Sequence, residues 1–187
     1  MTVKISALQL AVAGVCGGLA IALSFTPVGY IRVPNVSGAS TSLHIPALAA
    51  GVVAGPLVGA LVGLALAFTS WYQFGAIFMQ AAGGNLLVAL VAAFLPRALI
   101  GVVSYYAYRA LRRWGAVAAV ASAFLATSTN TGGVLGTLLV FGALDFRTAF
   151  VPIILTNYPI EVLLAIVIAV PLYSALGRAR QLAATRS

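Results

Sequence analysis

Several uninterrupted apolar runs, each near the length of a membrane-crossing helix, constrain this sequence more than any other feature. The first extends from about Ile5 to Phe25 and the last from Phe150 to Leu176. One bilayer crossing takes about 20 apolar residues in a helix. Only 6% of the 187 residues are charged, so water is a poor solvent for most of the chain. We therefore predict an integral membrane protein.

The runs predict helices rather than the strands of a membrane barrel. They are continuous and rich in Ala, Leu and Val, whereas membrane strands alternate apolar and polar residues. The expected fold is an all-α integral membrane protein, a single domain over residues 1–187 with six transmembrane helices. The predicted helix bounds are 5–25, 43–54, 56–71, 97–113, 116–142 and 150–176.

Two segments outside these helices carry turn-forming residues. The stretch from Thr26 to Ser42 contains prolines, glycines and a Ser/Thr cluster, which predict a loop. Residues 73–96 are apolar but interrupted, and Pro96 is expected to end the segment before the next helix. The interrupting residues are Gln73, Gln80, Gly83, Gly84 and Asn85. We predict that 73–96 is external and partly helical.

The ten basic residues indicate topology rather than nucleic acid binding, because they are scattered between apolar segments and form no continuous basic face. With six crossings and a cytoplasmic N-terminus, seven lie inside and three outside, as the positive-inside rule favours. The predicted inner residues are Lys4, Arg109, Arg112, Arg113, Arg178, Arg180 and Arg186. The predicted outer residues are Arg32, Arg97 and Arg147. Both termini are therefore expected to be cytoplasmic.

Catalytic and metal chemistry find little support in the sequence. His44 is the single histidine, so no histidine pair can bind a metal. The two acidic residues are Asp145, in a predicted loop, and Glu161, in a predicted helix. We expect no enzyme activity, no metal and no cofactor.

Polar residues inside the last two predicted helices are candidate ligand-binding groups. Glu161 and Asn157 are four residues apart and share a helix face, and an ionisable group at membrane depth favours a ligand or ion site. The alternatives are a structural pairing of Glu161 with Arg97 and a protonated Glu161 that is hydrogen-bonded within the protein. Thr127 and Asn130 share a face of the fifth helix, where they either hydrogen-bond another helix or face a cavity.

Further candidates lie at the predicted outer ends of the helices. Asn35 and His44 flank the first loop, Arg97 begins the fourth helix, and Trp71 ends the third. External arginines favour an anionic ligand through charge-assisted hydrogen bonds, whereas Glu161 suits a cationic or hydroxyl-rich one. His44 and Trp71 have the simpler interpretation of interfacial residues. The residues alone do not decide the charge of the ligand.

Three stretches resemble a known transporter family when taken in order. They are LHIPALAAGVVAGPLVGALVGLALAFTS from Leu43 to Ser70, PRALIGVVSYYAYRALRR from Pro96 to Arg113, and TSTNTGGVLG from Thr127 to Gly136. Together they resemble the S component, the substrate-binding membrane subunit, of energy-coupling factor (ECF) vitamin transporters. This broad family includes subunits for pantothenate, folate and pyridoxine-type vitamins.

The resemblance implies a mechanism and a set of partners. It implies a six-helix fold with an outward-facing vitamin pocket, a transmembrane coupling subunit and two ATPases that supply the energy. It also implies that an Ala-x-x-x-Ala pattern in the first helix, here Ala7 and Ala11, docks the coupling subunit. Small residues equally suit packing within the bundle, so both roles stay open.

A self-sufficient transporter is the alternative function. A small homo-oligomeric transporter or channel would use Glu161 as a proton or cation site and would need no ATPase. Inverted internal repeats would favour that function, and the sequence contains no persuasive ones.

Overall fold

The computed structural model describes residues 5–35, 37 and 39–184, with side chains through Leu176. We number its helices α1 to α6 and its two strands β1 and β2. The helices are α1 (Ala7–Ser24), α2 (His44–Ala54), α3 (Pro56–Ala81), α4 (Leu86–Leu111), α5 (Ala116–Val140) and α6 (Val151–Ala184). All except α2, which has 11 residues, are long and apolar enough to cross a membrane. The chain is therefore a helical, multi-pass membrane protein.

Local sequence signals account for several helix ends. The Ser6 hydroxyl accepts a hydrogen bond from the Gln9 N–H at 3.2 Å, and the Ser6 N–H donates to Gln9 Oε1 at 3.0 Å. This reciprocal capping box starts α1. Gly55 adopts a φ of +100° between α2 and α3, which favours glycine, and Pro56 then occupies the first turn of α3.

The segment 73–96 differs from its prediction, because α3 continues through it to Ala81 and α4 begins at Leu86 rather than at 97. Only the turn between them is non-helical, with Gly83 and Gly84 at positive φ. A kink at Phe74, with φ −128° and ψ 15°, redirects the end of α3. The interrupting residues thus mark one short turn between two long helices rather than a separate, partly helical segment.

Pro96 lies inside α4 and does not end the preceding segment. A proline in a helix lacks one N–H and leaves a carbonyl without its usual donor. In a membrane bundle, neighbouring groups can supply donors to such carbonyls. The carbonyl that Pro96 leaves without a backbone donor is that of Ala92, four residues earlier, and the Arg97 guanidinium donates through Nη1 to the next carbonyl, that of Ala93, at 2.7 Å.

Glycines bring α2, α3 and α4 into backbone contact. A Cβ at Gly59 would lie 2.7 Å from the Cα atoms of both Gly51 and Gly101, and a Cβ at Gly101 would lie 2.7 Å from the Ala47 carbonyl oxygen. A Cβ at Gly63 would overlap the Arg97 carbonyl oxygen. We call Gly51, Gly59, Gly63 and Gly101 the glycine junction. It fixes three helices at a spacing that no larger residue permits.

The predicted first loop contains a short antiparallel hairpin, which is an exception to the all-α prediction. Strand β1 (Tyr30–Arg32) pairs with β2 (Ala39–Thr41), with Tyr30 opposite Thr41 and Arg32 opposite Ala39. Three-residue strands give little sequence signal. The hairpin packs through β2 against α6.

Two side-chain hydrogen bonds show that α1 runs antiparallel to α2 and parallel to α3. Gln9, near the start of α1, donates to the carbonyl of Ala54 at the end of α2 at 3.1 Å. Gln73, late in α3, donates to Ser24 at the end of α1 at 3.1 Å. The hairpin after α1 and the 82–85 turn after α3 therefore lie at one end of the bundle, and the α5–α6 connection joins them there through an apolar cluster that contains Ala82 and Leu144.

Two π-helical turns complete the fold. One, Ser128–Gly132, lies within α5, and the other, Phe146–Phe150, precedes α6. The second is capped by the Asp145 carboxylate, which accepts from the Thr148 N–H at 2.7 Å. This bond holds the pKa of the Asp145 carboxyl below its usual value.

Of the charged residues assigned to the cytoplasm, Lys4 and Arg186 lie outside the described residues, as do the side chains of Arg178 and Arg180.

Candidate functional site

A cavity of about 430 Å³ lies at the hairpin end of the bundle. The wall is formed by the hairpin, by α3 from Ser70 onwards, and by α4, α5 and α6. Its polar lining residues are Tyr30, Ser37, Thr41, Ser70, Gln80, Arg97, Asn130, Thr131 and Glu161. Its volume lies in the usual range of small-molecule sites.

Glu161 on α6 is held by donors from two other elements. It is 2% exposed, and its Oε1 accepts from the Thr41 N–H at 2.8 Å and from the Ser40 hydroxyl at 3.4 Å. Its Oε2 accepts from the Thr131 hydroxyl of α5. Both carboxylate oxygens thus have protein donors, and Glu161 joins the hairpin to the bundle.

Arg97 on α4 reaches the same cavity but has few polar partners. It is 9% exposed, and its guanidinium carbon lies 5.1 Å from the centre of the Phe78 ring. Its Nε is buried with no hydrogen-bond acceptor among the described residues. Neither described carboxylate comes within the 4.0 Å of an ion pair with it. The alternative of a direct Glu161–Arg97 ion pair is therefore not formed.

Asn130 and Thr127 occupy different environments although both belong to α5. Asn130 lies on the π-helical turn, lines the cavity and is 3% exposed, and its Oδ1 has no partner within the described part of the chain. Thr127 is buried behind the cavity wall, where it donates to the Ala123 carbonyl at 2.9 Å. Its hydroxyl also lies 3.0 Å from His44 Nε2. Thr127 and His44 thus connect α5 to α2 and do not line the cavity.

Asn157 and Asn35 hold the hairpin against α6. Asn35 Nδ2 donates to Asn157 Oδ1 at 2.6 Å, and Asn157 Nδ2 donates to the Ala39 carbonyl at 2.7 Å and to the Ser37 hydroxyl at 2.9 Å. Neither asparagine lines the cavity. Both support the hairpin residues that do.

Trp71 lies outside the cavity lining. Its ring packs near Phe78 and Phe94, with ring centres 6.4 and 6.2 Å apart. Trp71 therefore supports Phe78 from behind, and Phe78 lines the cavity.

Sequence reasoning missed most of the residues that line the cavity, among them Tyr30, Ser70, Phe74 and Phe78. The last three recur every four residues along α3 and so share one face, a signal hidden by the prediction that the helix ends at 71. Tyr30 contacts Phe74 edge to face, with ring centres 4.8 Å apart, and its hydroxyl lies 3.4 Å from Ser70 Oγ.

The small residues of α1 lie on an exposed face of the helix. This face begins at the end of the bundle opposite to the cavity and extends to the middle of α1. Ala7, Ala11, Gly14 and Gly18 are exposed, and a Cβ at Gly14 or Gly18 would meet nothing within 4 Å among the described residues. We call these four residues the α1 stripe. The helix instead buries Gly17, Ala20 and Ser24.

Comparison with known proteins places this architecture in context. Residues 8–173 match the family model described as "ECF transporter, substrate-specific component". The chain is also 29% identical over 157 residues to the pantothenic acid transporter PanT of Lactococcus lactis subsp. cremoris (strain MG1363), an alignment that covers 75% of this chain and 79% of that protein. No solved structure matches the chain.

Proposed function

The chain belongs to the family of ECF transporter substrate-specific components, and from that premise we propose that it captures a water-soluble vitamin outside the cell. An ATP-driven coupling module then enables its delivery to the cytoplasm. The observation that supports this function best is the cavity of about 430 Å³ at one end of the bundle, lined by buried polar groups. Buried polar groups without protein partners favour a site that a polar ligand completes.

Pantothenate is the first candidate ligand, because the chain is related to a pantothenic acid transporter. Folate and pyridoxine-like vitamins are the other candidates. We propose that Glu161, Asn130 and Arg97 contact the ligand. Other predicted residues support the site indirectly by fixing the hairpin and the helices, namely Asn157, Asn35, Thr127 and His44. Trp71 would act only through Phe78.

The proposed orientation follows from the directions of the helices. With six crossings in the plasma membrane of a bacterial cell, both termini would lie in the cytoplasm. The cavity is at the end opposite to the start of α1, so it would face outwards. The hairpin would then cover the route by which a vitamin enters.

We propose that the α1 stripe contacts the transmembrane coupling subunit, which acts with two ATPases. Ala7 and Ala11 lie at the proposed cytoplasmic end of α1 and are exposed. In lipid, small residues let another helix approach closely enough for backbone contact.

A binding screen tests the proposed function. The detergent-purified chain is heated with and without each water-soluble vitamin, and a true ligand raises the apparent stability by about 2.7 kcal/mol at 100 times its dissociation constant. One selective shift is expected. A folded preparation that responds to no vitamin would favour the self-sufficient transporter with Glu161 as its ion site.

A matched pair of variants then tests Glu161. Glu161→Gln replaces one of the two oxygens that accept from the Thr41 N–H and the Thr131 hydroxyl with an amide donor, so affinity for the identified vitamin should fall at least about tenfold while the protein still inserts. Asp145→Asn neutralises the other described carboxylate, which is exposed, and should leave affinity unchanged. Unchanged binding in Glu161→Gln would remove Glu161 from the site.

A further inference from the structure

The two charged groups of the cavity differ in how completely the protein satisfies them. Glu161 accepts hydrogen bonds on both oxygens, from the Thr41 N–H, the Ser40 hydroxyl and the Thr131 hydroxyl. Arg97 has one hydrogen bond to protein within the described residues, from Nη1 to the Ala93 carbonyl. A guanidinium group has five N–H donors, so most of its donor capacity is unused.

We infer that the ligand of this cavity carries a carboxylate or a comparable planar oxyanion that binds Arg97, joined through an apolar body to a hydrogen-bonding group that binds Asn130. The inference rests on the proposed function and specifies the chemical class of its ligand. It also decides between the anionic and cationic ligands that the sequence left open.

The environment of Arg97 supports the anionic group. A cation that is 9% exposed is costly at membrane depth unless an anion accompanies it, and the two described carboxylates form no ion pair with it. A carboxylate matches the guanidinium fork with two parallel hydrogen bonds. The Tyr30 and Ser70 hydroxyls, 3.4 Å apart, line the same cavity and add donors for an oxyanion.

Glu161 does not select a cation in the same way. Both of its oxygens already accept hydrogen bonds from protein donors of β2 and α5. A ligand ammonium group would have to compete with those donors, and loss of the Thr41 bond would weaken the attachment of the hairpin to α6. The carboxylate is therefore better suited to fixing the hairpin and, at most, to accepting from a ligand hydroxyl.

The remainder of the wall defines the rest of the ligand. Asn130 is 3% exposed and its Oδ1 lacks a partner in the described structure, so a ligand hydroxyl or amide would satisfy it. Apolar side chains from α3, α5 and α6 line the space around these polar groups, among them Phe74, Phe78, Val134, Leu138 and Ile153. They favour a ligand with a branched or cyclic apolar body.

Matched pairs of anionic and neutral compounds test the inference. Dissociation constants are measured with the purified full chain for pantothenate and panthenol, biotin and biotinamide, and nicotinate and nicotinamide, alongside thiamine, riboflavin and pyridoxine. The anionic member of one pair should bind at least about tenfold more tightly than its neutral partner, the usual scale of a charge-assisted hydrogen bond. This comparison requires no variant and so does not depend on a mutant folding.

Variants then assign the preference to one side chain. Arg97→Gln should reduce the preference to about twofold or less, because only the anionic member loses a charge-assisted hydrogen bond to Arg97. Arg97→Lys should retain part of it, since lysine keeps the charge but not the fork. Arg147→Gln removes an exposed arginine at the same end of the bundle and should leave the preference unchanged.

The outcomes separate this inference from the proposed function. Equal binding of both members of a pair, or binding of thiamine, riboflavin or pyridoxine alone, overturns the anionic class and leaves a vitamin-binding subunit. A preference that survives in a folded Arg97→Gln protein also overturns it. If a folded preparation binds none of these compounds and no other vitamin, both the inference and the proposed function are overturned.

Discussion

The glycine junction and the α1 stripe are built from the same small residues but meet opposite surroundings. At the junction, a Cβ on Gly59 would lie 2.7 Å from the backbone of two neighbouring helices. On the stripe, a Cβ on Gly14 or Gly18 would meet nothing within 4 Å in the described structure. The fold requires the first set of glycines and makes no visible use of the second.

The difference bears on the two roles that a small-residue pattern can have in a membrane helix. Such residues permit close helix approach wherever the approaching helix comes from. The junction residues contact helices of the same chain, so their role is intramolecular. Gly14 and Gly18 of the stripe make no such close contact with the described residues, which supports the proposal that its helix partner belongs to another subunit.

The largest expected effect comes from enlarging a junction glycine. Gly101→Leu would drive a side chain into the backbone of Gly59 and the Ala47 carbonyl, and we expect a loss of at least about 3 kcal/mol of unfolding free energy. Thermal unfolding and monodispersity of the detergent-purified protein measure it. Gly18→Leu, the matched change on the stripe, should leave both nearly unchanged. Equal losses in the two variants would end the distinction between the regions.

The second effect concerns transport rather than stability. Ala7→Trp combined with Ala11→Trp should reduce vitamin uptake in cells with the complete transporter at least about tenfold, equivalent to a docking loss of about 1.4 kcal/mol. Vitamin binding by the purified subunit should not change, since the cavity lies at the other end. The control is Ala110→Trp with Ala116→Trp, at exposed positions of the same end. Normal uptake in the stripe variant would show that docking occurs elsewhere.

A smaller effect tests how α1 is attached. Gln9 completes the capping box and also donates to the Ala54 carbonyl at 3.1 Å. Gln9→Ala removes both interactions and should lower the unfolding free energy by about 1 kcal/mol. Thermal unfolding measures the change, and faster amide exchange confined to the first turn of α1 would identify its origin. A Tm equal to that of the parent protein would show that neither bond contributes.

The smallest substitutions add one methyl group each and are expected to have effects of opposite sign. Gly14→Ala should stabilise the protein by up to about 1 kcal/mol, because alanine favours the helix and its Cβ has free space. Gly59→Ala adds the same methyl group against two backbones and should destabilise it by about 1–3 kcal/mol. Tm values of the two variants provide the comparison. A stabilised Gly59→Ala would mean that the three helices can separate at little cost.

The sequence predicted some elements closely because their boundaries rest on strong local signals. Helix α2 was expected over 43–54 and is observed over His44–Ala54, since Gly55-Pro56 allows no continuation. The helix ends predicted around 73–96 were wrong because two glutamines and a proline were assumed to interrupt a helix as they would in a water-exposed segment. In a bundle their polar groups are satisfied by neighbouring helices, as Gln73 is by Ser24.

The sequence selects candidate site residues by chemical type, whereas the structure shows which of their side chains point into the cavity. Glu161, Asn130 and Arg97 line one cavity, whereas Asn157 and Thr127 face the packed wall beside it. Sequence spacing specifies which residues share a helix face but not how that face is turned in the bundle. Tyr30 could not be predicted at all, because only the hairpin brings it over the cavity.

The π-helical turn at Ser128–Gly132 gives the two halves of α5 separate registers. A turn of this kind contains one residue more than a regular helical turn. If the same five residues took regular α-helical geometry instead, the outer half of α5 would rotate by about 100°, the rotation of one residue, relative to the inner half. Thr127 could then keep its bond to His44 while Asn130 and Thr131 turned away from the cavity. Ligand recognition in this chain therefore depends on a local widening of one helix that the fold itself could survive without.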